Sequence, residues 1–402
     1  MTDYMNGLSV TTEVNDSICT VKIGGKVDST NATELQRNLE ELLAEEVFEK
    51  LSVDLEELEY ISSAGLRVML ALKKKYPSMK VINISRDVYE IFEITGFTGI
   101  MDMQKAYRRF STDGLEFIGQ GTCGKVYRLT DETIIKVFRP GYSVKKIVQE
   151  QSSAHTAFVN GVETAIPFDV VKVGEQFGVI YEILNADSLR GSIQKNMADF
   201  DKYAEMYADF MKKMHHIRFK KGALPNIKDS WIPCIGYMGN FFDDEQKKAV
   251  KKMFMDIPDS DTFIHGDPNP GNMMVHNGNI ILIDMADASI GHPIFDIIGI
   301  YLSFFMFAEM MPEEQVKQFT GFSSKENFRF WDVFCKAYFG IEDCEEKKAV
   351  EQEIRPYAAF RVLQATLAAD VFSQSMVSMC RDIVLKAVES GCRLDLVNKG
   401  VL

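Results

Sequence analysis

The segment from Phe263 to Asp284 constrains this chain more than any other. Pro268, Pro270 and Gly271 crowd in directly after Asp267. A proline ring lacks an N–H and pushes its predecessor toward extended backbone, so no helix is expected right after Asp267, and the aspartate is held on a rigid loop. Beyond the loop, Met273 to His276 and Ile280 to Ile283 are short apolar runs around Asn277-Gly278, a pair suited to the positive φ angles of a tight hairpin turn. In that register Asn272 stands opposite Ile283, and Asn272 and Asp284 meet at the open end of the hairpin. Amide and carboxylate oxygens suit a hard cation such as magnesium. One base, Asp267, and one metal clamp, Asn272 with Asp284, are therefore expected side by side.

The order of these parts, His265 and Asp267, then Asn272, then a strand ending in Asp284, resembles protein kinases and the aminoglycoside and choline kinase group. Gly266 in the loop, and Asp284-Met-Ala-Asp287 where protein kinases carry Asp-Phe-Gly, lean toward the small-molecule kinases. The resemblance implies transfer of the γ-phosphoryl group of ATP, with Mg2+, to a hydroxyl.

A glycine-rich loop lies well upstream, with glycines at 119, 121 and 124. Such spacing also occurs in dinucleotide-binding folds, where it must open a helix. Here Lys125 to Leu129 alternates and is rich in strand formers, which favours the kinase arrangement. On that resemblance Gly119, Gly121 and Gly124 let backbone amides approach the phosphates, Val126 covers the adenine, and Lys136 in a following strand holds the α and β phosphates. Glu150 on the next helix is the candidate acidic partner of Lys136, since Glu163 lies too far along, beyond Gly161. Gly178 to Leu189 runs from a strand into a polar turn and resembles the strand and hinge of small-molecule kinases, which implies that backbone around Glu182 to Leu184 bonds adenine. Cys123, at the loop tip, reads as a small tolerated residue.

The first hundred residues are a different unit. Thr12 to Val27 contains Gly24-Gly25 and reads as one or two strands with a turn. Leu35, Leu39, Leu42 and Leu43 recur at helical spacing after possible N-cap residues in 29–33. Strands are expected at Lys50 to Leu55 and Val81 to Ile84, and helices from about Gly65 to near Pro77 and over Val88 to Ile94. Such alternation implies an α/β sandwich. Residues 8–105 resemble the STAS domain of anti-sigma factor antagonists, most specifically in Asp54-Leu55, Leu58, Tyr60 and Ser62-Ser63-Ala64-Gly65. That alignment puts Ser63 on the serine that the family phosphorylates. Ser62 replaces the usual acid, which puts in doubt whether the family's own kinases would act on it. A phosphate there would meet the free N–H groups of a helix start; the plainer role for either serine is an N-cap.

The fold expectation is thus an α/β STAS domain, a mixed sheet with helices, over 1–108, and a linker over 109–114. An α+β two-lobed protein-kinase-like domain follows, with its N-lobe over 115–184 and a largely helical C-lobe over 185–402. A formal charge of −13 argues against general affinity for nucleic acid or anionic lipid. Seven cysteines without a Cys-x-x-Cys pair fit reduced thiols and a cytoplasmic location. The start of the chain lacks a basic region and an apolar run, so it does not read as a secretory signal. The longest apolar stretch, Ile297 to Ala308, is well short of the about 20 residues that span a bilayer and reads as a buried helix.

Phe328 to Phe339 and Arg355 to Val388 are helical stretches whose aromatic residues and methionines suit core packing. His215 and His216 close an amphipathic helix as capping residues. Asp296 is expected, from the kinase resemblance, to brace the loop that carries Asp267. The acidic run 341–346 reads as a solvated face. Three functions fit: a small-molecule kinase regulated by its STAS domain, a nucleotide-sensing partner-switching protein that binds an anti-sigma factor, and a protein kinase acting on Ser63.

Overall fold

The computed structural model describes residues 3–5, 7–368, 372–391 and 394–395. Cys392, residues 369–371 of the last long helical stretch, and Met1, Thr2 and Asn6 of the N-terminus lie outside them. The chain divides into two compact units, 1–110 and 111–402. The other six cysteines are free thiols, and no helix among the described residues is long and apolar enough to cross a membrane.

In the first unit, the strands Leu8–Asn15 and Ile18–Val27 form an antiparallel hairpin. Its turn falls at Asp16-Ser17, both at positive φ (49° and 64°), and Gly24-Gly25 lies inside the second strand, so the turn is not where the glycine pair suggested. Lys50–Asp54 and Leu58–Ile61 pair parallel to Ile18–Val27, and Lys80–Ile84 and Asp102–Lys105 extend the sheet, also parallel. The sheet is mixed, as expected, and helices Ala32–Ala44, Ser63–Lys75 and Arg86–Ile94 accompany it. Each presents an apolar stripe, including Leu35, Leu39 and Leu43 on the first, to the side chains of Val21, Val53 and Val81, which are fully buried.

The second unit opens with an antiparallel sheet in the spatial order Pro167–Val173, Gln176–Glu182, Thr133–Phe138, Gly124–Arg128, Phe117–Gln120. Helix Val144–Val159 packs on it. From Leu189 onward the chain is mostly helical, interrupted by two small ladders that carry the loops of the site. The Ile297 to Ala308 stretch is indeed buried helix, running through Ile294–Tyr301 and widening into π-helical turns at Leu302–Met306. It packs against the helix Ser324–Phe334, where the Phe304 and Phe330 rings stack 3.9 Å apart, and Tyr207, from the helix Phe200–Met214, meets Phe330 edge-on at 5.2 Å. Offset and edge-to-face rings of this kind account for the aromatic content as core.

Candidate active site

Strand alternation sets the first wall. In Thr133–Phe138, Ile135 is fully buried, while Ile134 and Lys136 face a cavity of about 580 Å³. Val126 is the cross-strand partner of Lys136 and lines the same cavity. Helical spacing sets the second wall: Ile147, Glu150, Ala154 and Ala157 form one buried face, which points the Glu150 carboxylate at the sheet.

Lys136 Nζ lies 2.7 Å from Glu150 Oε1 and 3.5 Å from Asp284 Oδ1. The Tyr181 hydroxyl also donates to Glu150 Oε1, at 3.5 Å, while Glu150 Oε2 is buried without a protein partner. Burial disfavours the ammonium of Lys136, but the carboxylates of Glu150 and Asp284 outweigh it and raise its pKa. For Glu150 burial wins over the single ammonium, and its pKa is also raised.

The glycine loop joins Phe117–Gln120 to Gly124–Arg128, closed by a Gly121 N–H bond to the Gly124 carbonyl at 3.0 Å. Gly119, Gly121 and Gly124 all line the cavity, yet for different reasons. A Cβ on Gly119 or Gly121 would meet open space, whereas one on Gly124 would sit 2.1 Å from the Val137 carbonyl. Gly124 is therefore required by strand pairing, whatever it also does at the cavity. Cys123 sits beside the Tyr142 hydroxyl, whose pKa burial pushes up to about 12 with help from the thiol. Glu182 and Leu184 border the cavity at its far end. The Glu182 amide is taken by the Ile166 carbonyl and the Ile183 amide by the Glu132 carbonyl.

The opposite wall is the 263–284 segment. Thr262–Ile264 is buried and paired with Ser289–Gly291. Met273–His276 and Asn279–Leu282 form the expected hairpin around Asn277-Gly278 (φ 50° and 78°), with Met273 opposite Leu282. The Ile283 amide donates to the Asn272 carbonyl at 2.9 Å, which brings Asn272 next to Asp284, itself at φ 64°. Both line the cavity. One short turn of 3₁₀ helix, Pro270–Asn272, does form three residues after Asp267. It is nucleated by Asn269, whose Oδ1 accepts from Gly271 N at 2.9 Å, with proline at the first helical position, where its missing donor costs nothing.

Asp267 is exposed and lies beside the cavity without lining it. Its Oδ2 accepts from Asn272 Nδ2 at 2.9 Å and from Asn269 Nδ2 at 3.0 Å. His265 Nδ1 accepts from the Asp267 amide at 3.3 Å, so the ring proton is on Nε2, facing the Ile283 carbonyl at 3.2 Å. Asp296 is fully buried and takes the amides of His265 (2.9 Å) and Gly266 (2.8 Å), the bracing role expected of it. Gly266 is at φ 84°, and a Cβ there would lie 2.7 Å from that of Asp287. Glycine is the residue that fits.

His215 is the C-cap residue of helix Phe200–Met214 through its backbone N–H, but its side chain is not a surface cap. It is buried, with Nδ1 2.7 Å from the Tyr338 hydroxyl and Nε2 3.2 Å from Asp296; His216 does cap, through the Lys212 carbonyl. The period of the helix separates these two neighbours: Ala204, Tyr207, Ala208 and Met211 form its buried face, and His215 follows Met211 by four residues on that face while His216 falls off it. Asn269, which the sequence reading passed over, had a visible signal: an Asn directly before Pro-Gly is a turn initiator.

Asp287 borders Asp267 from the other side. Its side chain keeps access to solvent, yet the residues around it desolvate it enough to push its pKa up; Arg361 opposes that, and Asp267 adds to it. A carboxyl whose folded pKa exceeds its unfolded value loses stability as pH rises from the unfolded value through the folded one, and the loss then stays constant. Asp287→Asn should therefore raise the melting temperature more at pH 8 than at pH 4.5. Equal shifts at both pH values would show that the ionised carboxylate carries no such cost.

In the first unit the Ser62 hydroxyl caps helix Ser63–Lys75 through the Gly65 amide at 3.4 Å, and Ser63 stands exposed at the first helical position.

Residues 9–110 match the family model for the STAS domain, and residues 114–331 match the model described as phosphotransferase enzyme family. Over 97 residues the chain is 32% identical to BtrV of Bordetella bronchiseptica, provisionally described as an anti-sigma factor antagonist, covering 23% of this chain and 83% of that protein. Among solved structures, the ADP-bound aminoglycoside phosphotransferase APH(2'')-Ib aligns over 70% of this chain and 95% of its own, at 14% identity and a TM-score of 0.44. A choline/ethanolamine kinase family protein from Mesorhizobium loti aligns over 72% and 94%, at 16% identity and a TM-score of 0.44. By its matched span the chain belongs to the phosphotransferase enzyme family, and carries an STAS domain ahead of the phosphotransferase part.

Proposed function

We propose that this chain transfers the γ-phosphoryl group of ATP to a hydroxyl of a small molecule, under regulation by its STAS domain. The observation that carries the reading is the meeting of Lys136, from the strand Thr133–Phe138, with Asp284, Asn272 and Asp267, from the 263–284 segment, at one cavity edge. Asp267, with Oδ2 held by two amides, would orient the acceptor hydroxyl and take its proton on the other oxygen. Lys136, steadied by Glu150, would hold the α and β phosphates. Val126 would cover the adenine, and the Leu184 amide, which lies past the end of the strand ladder, would bond it.

Among the described residues no three His, Cys, Asp or Glu side chains gather as a metal site. One carboxylate, Asp284, and one amide oxygen, Asn272, fit Mg2+, which keeps its other positions for water and phosphate oxygens. When bound, the ion would neutralise charge on the phosphates.

The test is an ATP-consumption screen over aminoglycosides, choline, amino alcohols and sugars, with Asp267→Ala as the blank. Failure of the intact protein to bind ATP with magnesium would overturn the reading. Binding can be read by melting: a ligand at about 100 times its Kd stabilises by about 2.7 kcal/mol. Lys136→Ala should lose most of that nucleotide-induced shift, whatever its own melting temperature. An undiminished shift would remove Lys136 from the nucleotide site.

The exposure of Ser63 at a helix start favours a second reading, in which the kinase domain phosphorylates this serine. Mass spectrometry after incubation with ATP would reject it if Ser63 stays unmodified or if Asp267→Ala leaves the labelling unchanged. We take the STAS domain, with bounds near 1–108 and a linker at 109–114, as the surface for a protein partner such as an anti-sigma factor. The free thiols suit a cytoplasmic location.

A further inference from the structure

Asp267 is held from below by Asp296, through backbone, and from in front by Asn269 and Asn272, through its side chain. Asn269 in turn has a neighbour that the reaction as described above does not use. Arg190 stands on the short helix Leu189–Lys195, directly after Ser188, which pairs with Met274 of the hairpin. Its Nη2 lies 3.4 Å from Asn269 Oδ1. Arg190 forms no ion pair within 4 Å among those found in the described residues, and its buried Nε has no hydrogen-bond partner. The side chain is boxed in by glycines: a Cβ on Gly271 would lie 3.1 Å from Nη2, and one on Gly321 would lie 2.8 Å from Cδ. Gln194 ties the Gly321 carbonyl down at 2.9 Å. A guanidinium is thus packed, without a carboxylate partner, against the amide that touches the proposed base.

We propose that Arg190 is a positioning residue, which fixes and polarises the Asn269 amide so that the amide presents an N–H to Asp267 Oδ2 and leaves Oδ1 for the acceptor hydroxyl. The inference rests on the phosphotransferase reading. At 3.4 Å the contact is long for a hydrogen bond and works chiefly as a charge beside a dipole. The alignment is favourable at both ends: guanidinium against the amide oxygen, amide N–H against the carboxylate. Turning the amide over would set its NH2 against two donors, the guanidinium and the Gly271 amide, and its oxygen against Asp267. The guanidinium cannot give up its charge, so this orientation is held across the working pH range. Burial lowers the pKa of Arg190 and Asp267 acts against that, as expected for a cation kept dry near this carboxylate.

The experiment compares Arg190→Gln, Arg190→Lys, Asn269→Ala and the double variant Arg190→Gln/Asn269→Ala in magnesium-ATP turnover. The acceptor is the one found in the screen, or water if none is found, and melting temperatures are recorded alongside. Misplacing a reacting group slightly is costly, so Arg190→Gln should lower kcat by about tenfold to a hundredfold with KM for ATP little changed. Arg190→Lys should recover most of it.

The double variant should be no slower than the slower single, since both break one relay. Multiplied effects in the double variant would overturn the inference, as would a rise in KM for ATP with kcat intact, which marks a phosphate contact. If Arg190→Gln proves unfolded, Arg190→Met, alone and combined with Asn269→Ala, makes the same comparison. Turnover that Arg190→Gln leaves untouched overturns only this assignment. No turnover in the unaltered protein overturns the phosphotransferase reading, and this inference with it.

Discussion

Asp267→Ala should lower phosphoryl transfer by about a thousandfold, within the range of 10² to 10⁴ that a positioned general base supplies. The carboxylate has one oxygen engaged by Asn269 and Asn272, and the other has no hydrogen bond among those found in the described residues. Removing it takes away both the proton acceptor and the group that aims the hydroxyl. Asp267→Asn keeps the shape without the basicity, so a comparable loss in both variants would assign the effect to proton transfer and not to geometry.

Neither change should harm the fold. Asp267 is exposed, and the neighbouring carboxylate Asp287 repels it, so the melting temperature should hold or rise slightly. Nucleotide binding should persist. A variant that retained a tenth or more of the activity would exclude Asp267 as the base.

The second large effect concerns stability. Asp296→Ala should cost about 3–5 kcal/mol, the usual penalty for removing one partner from a buried charged cluster. The carboxylate is fully buried and accepts from two backbone amides, His265 and Gly266, with the His215 ring at 3.2 Å. After the change both amides have no acceptor, and each buried N–H left bare costs about 1–3 kcal/mol. Asp296 also lies in the first turn of helix Ile294–Tyr301, where a negative charge is favourable. The melting temperature should fall by about 5 °C or more. Activity should fall as well at temperatures where the protein stays folded, since the loop carrying Asp267 loses its anchor. A fall smaller than about 2 °C would show that the brace contributes little.

His215 shows the limit of pattern in such a network. As a residue it looked like its neighbour His216, at a helix end beside lysines, and capping was the reasonable expectation. Helical spacing puts His215 on the buried face, but the partners its ring meets there, Tyr338, more than a hundred residues away, and Asp296, are not local. The glycine loop offers the complementary lesson. Its three glycines were read as one device for approaching phosphates, yet Gly124 is a glycine because the Val137 carbonyl occupies the place of its Cβ. Spacing alone cannot distinguish a glycine that faces a ligand from one that faces a strand.

By itself the amino-acid order determined what is local. The hairpin at Asn277-Gly278 and its register follow from turn chemistry and a period of two, and the apolar stripes of the first helices follow from a period of 3.6. The pairing of Lys136 with Glu150 was legible because a strand and the next helix leave few choices over fourteen residues. Tertiary structure alone decided the rest: which groups the His215 ring meets, how Arg190 comes to lie against Asn269, and that Asp267 sits beside the cavity and not in its wall. These depend on contacts between residues far apart in the chain. No local rule of backbone geometry or periodicity carries information across such a distance; only packing does.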